Sequence, residues 1–222
     1  MKLDDKGLLI VISGPSGVGK GTIRSALFAM EGHDLVYSIS MTTRTPRGSE
    51  VNGREYWFVT REEFEEKIRD NKMLEYAEFV NNYYGTPLEK VEEQLKEGKE
   101  VVLEIEVNGA MQVRKKMPEA VFIFIAPPSY EALKTRLKNR GTEDEIHIKE
   151  RIEKAKRELD LAYQYDYIVV NDDVNNAADK IMAIIRAEHA KTERTIHKYN
   201  ELLGVKRWTE KMMAWDIHLS MN

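Results

Sequence analysis

Leu8-Leu-Ile-Val-Ile12 runs through Ser13 into Gly14-Pro-Ser-Gly-Val-Gly-Lys-Gly-Thr22, and no other stretch of this 222-residue chain restricts its fold as tightly. A short apolar run rich in β-branched residues and closed by a glycine-rich turn reads as a parallel strand buried on both faces. Gly21–Met30 then continues as a helix. Strand, glycine loop and helix in that order are the setting a phosphate-binding loop requires. Glycines let successive N–H groups point inward, the helix N-terminus adds positive potential, and Lys20 can reach a terminal phosphate. The alternative, a glycine-rich turn with a solvated lysine, does not explain why both flanks match. The strict pattern has Ser or Thr directly after the lysine. Here Gly21 stands there and Thr22 follows, so the hydroxyl that would hold Mg²⁺ is displaced or absent. Asn71-Lys-Met-Leu74 lacks the final Asp of a GTPase base-recognition motif.

Val101-Val-Leu-Glu-Ile105, Val121-Phe-Ile-Phe-Ile125 and Tyr167-Ile-Val-Val170 are further strands of the same buried kind. Helical segments alternate with them. Thr86-Pro87-Leu88-Glu89 reads as N-cap, N1 proline and N3 glutamate; Gly109–Met117 ends at Pro118; and Ser129–Asn139 starts on a good cap. This alternation predicts an α/β fold, an open parallel sheet with helices on both faces. Tyr37–Tyr84 reads differently. Tyr56–Val59, Leu74–Phe79 and the turns at Gly48 and Gly53 suggest short antiparallel strands, and Thr60 with Glu63 forms a capping box. We read this interval as a small inserted domain, and the basic stretch 138–157 as a second insertion. From Ala177 the pattern is helical almost to the end.

Composition removes several classes of function. The chain has no cysteine, so disulfides and zinc-thiolate sites are excluded. Its longest apolar runs fall far short of the roughly 18 residues of a membrane span, and the acidic opening argues against a secretory signal. A net charge of −4 gives no global pull toward nucleic acid. The expectation is a cytoplasmic protein without a membrane or nucleic-acid partner.

Two further groups of residues carry chemistry. Ser40-Met-Thr-Thr-Arg-Thr-Pro-Arg47 sets two arginines three apart, able to clamp one phosphate through bidentate hydrogen bonds, with Glu50 and Arg54 following. Taken alone, such a pair is equally compatible with a solvated surface. Glu104 and Glu106 lie two apart at the end of an apolar strand, near the sheet edge where ligands collect. They could organise water around Mg²⁺, or form an ion pair with Arg44 or Lys20.

With these residues in view, the sequence resembles the guanylate kinases from about Lys6 to at least Glu188. The likeness rests on seven motifs in order: 14–20, Thr-Thr-Arg-Thr-Pro-Arg at 42–47, Glu-Val-Asn-Gly-Arg-Glu-Tyr at 50–56, Asn-Tyr-Tyr-Gly-Thr at 82–86, Leu-Glu-Ile-Glu-Val-Asn-Gly at 103–109, Arg-Gly-Thr-Glu at 140–143 and Val-Asn-Asp-Asp at 170–173. The resemblance implies a P-loop NTPase fold. Its core would be 1–36, 89–137 and 158–196, with a GMP-binding insertion at 37–88, a helical lid at 138–157 and a helical C-terminal extension at 197–222.

It also implies the reaction ATP + GMP to ADP + GDP with Mg²⁺, run by a monomer or homodimer. Gly14, Pro15, Ser16, Gly17, Val18, Gly19, Lys20, Gly21 and Thr22 would hold ATP, and Asn171 would lie by the adenine. Ser40, Arg44, Arg47, Tyr56 and Tyr84 would hold the GMP phosphate, with Glu50 and Glu104 nearby. Glu75 and Thr86 would read guanine, whose N1–H and N2–H₂ suit a carboxylate as adenine does not. Lys20, Arg44 and the lid arginines Arg136, Arg140 and Arg151 would neutralise charge in transfer. Thr22, Glu104 or Glu106 would lie near the metal. Such transfer is chiefly positioning and electrostatics and needs no general base. The competing readings are an inactive scaffold module and a kinase for another nucleoside monophosphate; the intact Lys20 loop and Glu75 speak against each in turn.

Overall fold

In a computed structural model of the chain, which describes residues 7–138 and 145–199 apart from the side chains of 145–148, 197 and 198, the first apolar run folds as strand β1 (Leu9–Ser13), buried at every position. In chain order there follow α1 (Lys20–Phe28), β2 (Leu35–Tyr37), β3 (Met41–Thr42), β4 (Trp57–Phe58), α2 (Arg61–Arg69), β5 (Met73–Phe79), β6 (Asn82–Pro87), α3 (Leu88–Lys96), β7 (Glu100–Glu104) and α4 (Val107–Lys116). The remaining elements are β8 (Val121–Ala126), α5 (Tyr130–Lys138), α6 (Glu145–Leu159), β9 (Tyr167–Val170), α7 (Val174–His189) and α8 (Thr192–Thr195).

Five strands form a wholly parallel sheet in the order β2-β7-β1-β8-β9. Parallel neighbours require long crossovers, and the helices between strands supply them. β1 is the central strand, with Leu9 opposite Val101 and Ile10 opposite Val121. Phe122 and Phe124 of β8 are fully buried with Val101, Leu103, Val107 and Val113. Each such side chain contributes roughly 1.5–3 kcal/mol through burial. This core holds the loop after β1 rigidly at the C-terminal edge of the sheet.

The insertion forms its own four-stranded sheet, β4-β3-β6-β5, with a small core of Met41, Phe64 and Met73. The expectation of purely antiparallel strands is corrected here. β3 pairs antiparallel with β6 and β6 with β5, but β3 and β4 run parallel. The capping box at α2 forms as read, Glu63 N–H donating to Thr60 Oγ1 and Thr60 N–H to Glu63 Oε2. The cap expected at Thr86 does not form. Pro87 occupies the N-cap of α3, and Thr86 lies within β6, one residue before its end, where its hydroxyl has another partner.

The chain divides into two compact units, Met1–Ile181 and Met182–Asn222. Within the second, Glu188 pairs with Lys191 at 2.8 Å. Arg140 and its Gly-Thr-Glu neighbours lie outside the described residues, as does the C-terminal stretch with Trp208 and Trp215. No helix among the described residues is long and apolar enough to cross a membrane.

Candidate active site

Gly19, at φ 96°, is the N-cap of α1, so the helix begins on Lys20. A side chain at Gly19 would be strained, and its Cβ would stand 2.6 Å from Asn171 Nδ2. The loop curls around Lys20, whose Nζ donates to the carbonyls of Gly14 at 2.6 Å and Pro15 at 3.3 Å. A cavity of about 280 Å³ opens there, lined by Ser16, Lys20 and Gly21 with other loop residues, and by Glu104, Glu106 and Glu158. Burial pulls the Lys20 pKa below its usual value, while Glu104, Glu158 and Glu106 oppose the shift. Thr22 is exposed and does not line the cavity.

The back of the loop is braced from elsewhere in the fold. Val18 C=O accepts from Asn171 Nδ2 at 2.7 Å and from Arg136 Nη1 at 3.1 Å, and Arg136 Nη2 reaches Asn171 C=O at 3.0 Å. Asn171 is 3% exposed, and its amide nitrogen is spent on the loop. A buried amide must satisfy its donor and Val18 is the acceptor it meets, while its Oδ1 is buried without a partner among the described residues.

Helix α6 delivers one face to the same loop. Arg151 Nη2 donates to Ser16 Oγ at 2.7 Å, and Lys154 Nζ donates to Glu106 at 2.8 Å and stands 3.7 Å from Glu158. Glu158 is 8% exposed, and burial pushes its pKa up against the pull of Lys154. From the sequence only Arg151 of this helix is singled out, and the lysines and glutamates would by default face solvent. Lys154 and Glu158 depart from that default, and the spacing 151, 154, 158 is the signal that could have found them. Burial is what separates them from the other charges of the helix.

Glu104 closes β7 and pairs with Arg24 at 3.4 Å, not with Lys20 or Arg44. Arg24, which the sequence reading missed, also stacks 4.5 Å above the Tyr37 ring. Glu106 has left the strand and is the N-cap of α4, so the two acids do not share the strand face that period-two alternation predicted. Its charge acts on both Lys20 and Glu75.

On the inserted sheet, Arg44 makes a bidentate pair with Glu50 at 2.9 and 3.0 Å. Glu50 also accepts from the Arg47 N–H at 2.7 Å, and the Arg44 bonds followed by this one hold its pKa at about 2. Arg44 lies 5.4 Å from the Tyr56 ring centre, and Tyr56 meets Tyr84 edge-to-face at 6.0 Å. Ser40 is half-buried and the Arg47 side chain is exposed. Thr86 and Glu75 are paired across β5 and β6, and Thr86 Oγ1 donates to Glu75 Oε1 at 2.7 Å. Burial raises the Glu75 pKa, with the Thr86 bond opposing.

A cradle for anions around Lys20 and an arginine–tyrosine cluster beside a buried carboxylate suit a transfer between two phosphate-bearing ligands. On a parallel sheet with the glycine loop after β1, that combination defines a P-loop kinase acting on a nucleoside monophosphate. The model of the guanylate kinase family matches residues 6–188. Over 95% of the chain and the whole of its relative, the sequence is 58% identical to the guanylate kinase of Onion yellows phytoplasma (strain OY-M). It is 55% identical to that of Bacillus subtilis (strain 168) over 92% of the chain and the whole relative. The crystal structure of guanylate kinase from Anaplasma phagocytophilum superposes with a TM-score of 0.69 at 34% identity, covering 90% of this chain and 96% of that one. The chain belongs to the guanylate kinase family.

Proposed function

We propose a division of labour for the family's reaction, transfer of a phosphoryl group from ATP to GMP. The loop 14–22 and Lys20 take the ATP phosphates. Lys20 exchanges its bonds to Gly14 and Pro15 for phosphate oxygens, and Arg136 and Arg151 hold the loop in the curled form that receives them. Arg44, Arg47, Ser40, Tyr56 and Tyr84 take the GMP phosphate, with Glu50 pre-orienting the Arg44 fork. Asn171 serves the ATP side as a brace. Glu75 and Thr86 read guanine. The single observation that carries this reading is the buried Glu75–Thr86 pair at 2.7 Å. A buried carboxylate bonded by Thr86 keeps acceptor capacity for a ligand with two adjacent N–H donors, and a base without them would leave that capacity unused.

Glu104 and Glu106 fit a Mg²⁺ that keeps most of its waters, since both are oxygen donors lining the Lys20 cavity. Among the described residues no three acids or histidines converge as a dedicated metal site. When bound with ATP, the ion would neutralise charge on the phosphate oxygens. Thr22 is the weaker candidate, being exposed. The division into core, GMP-binding insertion 37–88 and lid 138–157 belongs to the same proposal, as do a cytoplasmic location and a monomer or homodimer. Closing such a lid would exclude water, which competes for the transferred group.

The test is ADP release with ATP–Mg²⁺ against GMP, dGMP, AMP, dTMP and CMP, with a no-acceptor control. Turnover confined to the guanine nucleotides supports the assignment. Comparable turnover with AMP would remove Glu75 from base reading, and GMP binding without any turnover would point to an inactive binding module.

A further inference from the structure

β5 is an edge strand, since the order β4-β3-β6-β5 leaves it with one neighbour. The N–H and C=O groups on its open side need partners or water. At Tyr76 both are taken by one side chain from outside the sheet. Gln112 of α4 accepts from the Tyr76 N–H at 3.1 Å and donates to the Tyr76 C=O at 2.9 Å. A primary amide is suited to this, because it carries an acceptor and a donor on one carbon and so imitates a neighbouring strand.

The same helix face touches β5 at two more places. Gly109 lies so close to Glu75 that a Cβ on it would stand 2.8 Å from Oε2. Lys116 Nζ donates to the Met73 C=O at 2.6 Å and to Asn71 Oδ1 at 2.7 Å. Positions 109, 112 and 116 are three and four apart, one stripe of a helix. The β5–β6 register shifts between Met73 and Glu75, so α4 grips the strand on both sides of an irregularity. A bulge loosens the ladder and re-aims a side chain. Glu75 is the side chain in question, buried while Tyr76 to Phe79 are exposed. The N-cap of α4 is Glu106, which lines the Lys20 cavity. One rigid helix thus runs from the phosphate loop to the strand that carries Glu75.

We infer that Gln112 is a positioning residue for base recognition: its clasp on Tyr76 fixes where the Glu75 carboxylate stands relative to the phosphate loop. The inference rests on the reading of Glu75 as the guanine acceptor. Gln112→Met keeps the length and loses both bonds; Gln112→Glu keeps the acceptor and loses the donor to the Tyr76 C=O. Both are compared with Glu75→Gln in steady-state assays with GMP, AMP and ATP and by thermal melting.

For Gln112→Met the GMP KM rises about 10-fold, as two hydrogen bonds near an aligned group warrant, while the ATP KM stays within about 2-fold. Gln112→Glu shifts in the same direction and decides the matter should the Met variant fail to fold. A merely structural role would lower the melting temperature and move both KM values together, or move neither, and either pattern overturns the inference. If Glu75→Gln destroys guanine selectivity while both Gln112 variants keep the native GMP KM, the inference alone fails. If Glu75→Gln leaves selectivity intact, the reading of Glu75 fails and this inference falls with it.

Discussion

Gly109→Ala tests the placement of Glu75 with one methyl group. Gly109 is helical, so alanine fits the backbone and gains up to about 1 kcal/mol of helix propensity. The added Cβ stands 2.8 Å from Glu75 Oε2, against an ordinary contact that begins at 3.4 Å. The carboxylate must retreat by roughly half an ångström, and its 2.7 Å bond from Thr86 resists that movement. Overpacking of this kind costs about 1–3 kcal/mol. Set against the helix gain, overall stability falls by no more than about 3 kcal/mol, and the protein folds. The displaced carboxylate no longer meets both guanine donors, so kcat/KM for GMP falls about 10- to 100-fold, at 1.36 kcal/mol per decade. The ATP KM is unchanged. In the double variant with Glu75→Gln the two losses do not add, because both act through one carboxylate. Steady-state kinetics at saturating ATP, with calorimetry as the folding control, measures all of this. Native GMP kinetics in a folded Gly109→Ala protein would refute the reasoning.

Four further outcomes are expected. Lys20→Ala abolishes turnover while the far-ultraviolet circular dichroism stays native; a near-normal kcat would show that the loop is not the phosphate site. Asn171→Ala frees Val18 C=O and raises the KM for ATP several-fold with little effect on that for GMP, as a loss of about 1–2 kcal/mol implies; an effect on GMP alone would reverse the assignment. Burial raises the Glu75 pKa above the ordinary glutamate value of 4.5, so the native state holds that proton more tightly than the unfolded chain. Its contribution to stability therefore declines as pH rises past 4.5, while GMP binding, which needs the carboxylate, strengthens. Melting curves and GMP titrations of Glu75→Gln should show both slopes flattened. Glu50, held at about 2, keeps its pair with Arg44 through that range, so an acid loss of GMP binding that Glu50→Gln abolishes and Glu75→Gln does not would contradict this order.

The parallel sheet was legible because buried parallel strands are nearly continuous apolar runs, and β1, β7 and β8 fall within a residue of where those runs lie; β9 lies where its run does, but it is an edge strand with Ile168 and Val170 exposed and not buried like the others. β2 and β3 were not legible, since three residues at Leu35–Tyr37 and two at Met41–Thr42 are too short for periodicity to register. Thr86 was misread because Thr-Pro-Leu-Glu satisfies the local rules for a cap, while its actual partner, Glu75, is 11 residues away. The phosphate loop was read from its spacing. Arg24, Lys154 and Glu158 were not, because a charged residue on a helix looks solvated until the fold shows what it faces.

Helix α6 sets Arg151, Lys154 and Glu158 toward the loop while Ile152 and Ala155 pack with Leu133 and Leu137 of α5. Each residue added or removed in an α-helix turns everything beyond it by about 100°. A single deletion between Arg151 and Lys154 would swing Glu158 off the loop and bring a charged neighbour against Leu133, although every residue type needed would still be in the chain. Inserting seven residues would restore the angle and push Glu158 about 10 Å along the axis. Substitution can therefore explore this segment position by position, whereas changes of length in it are closed to drift: the count of residues here is itself inherited information.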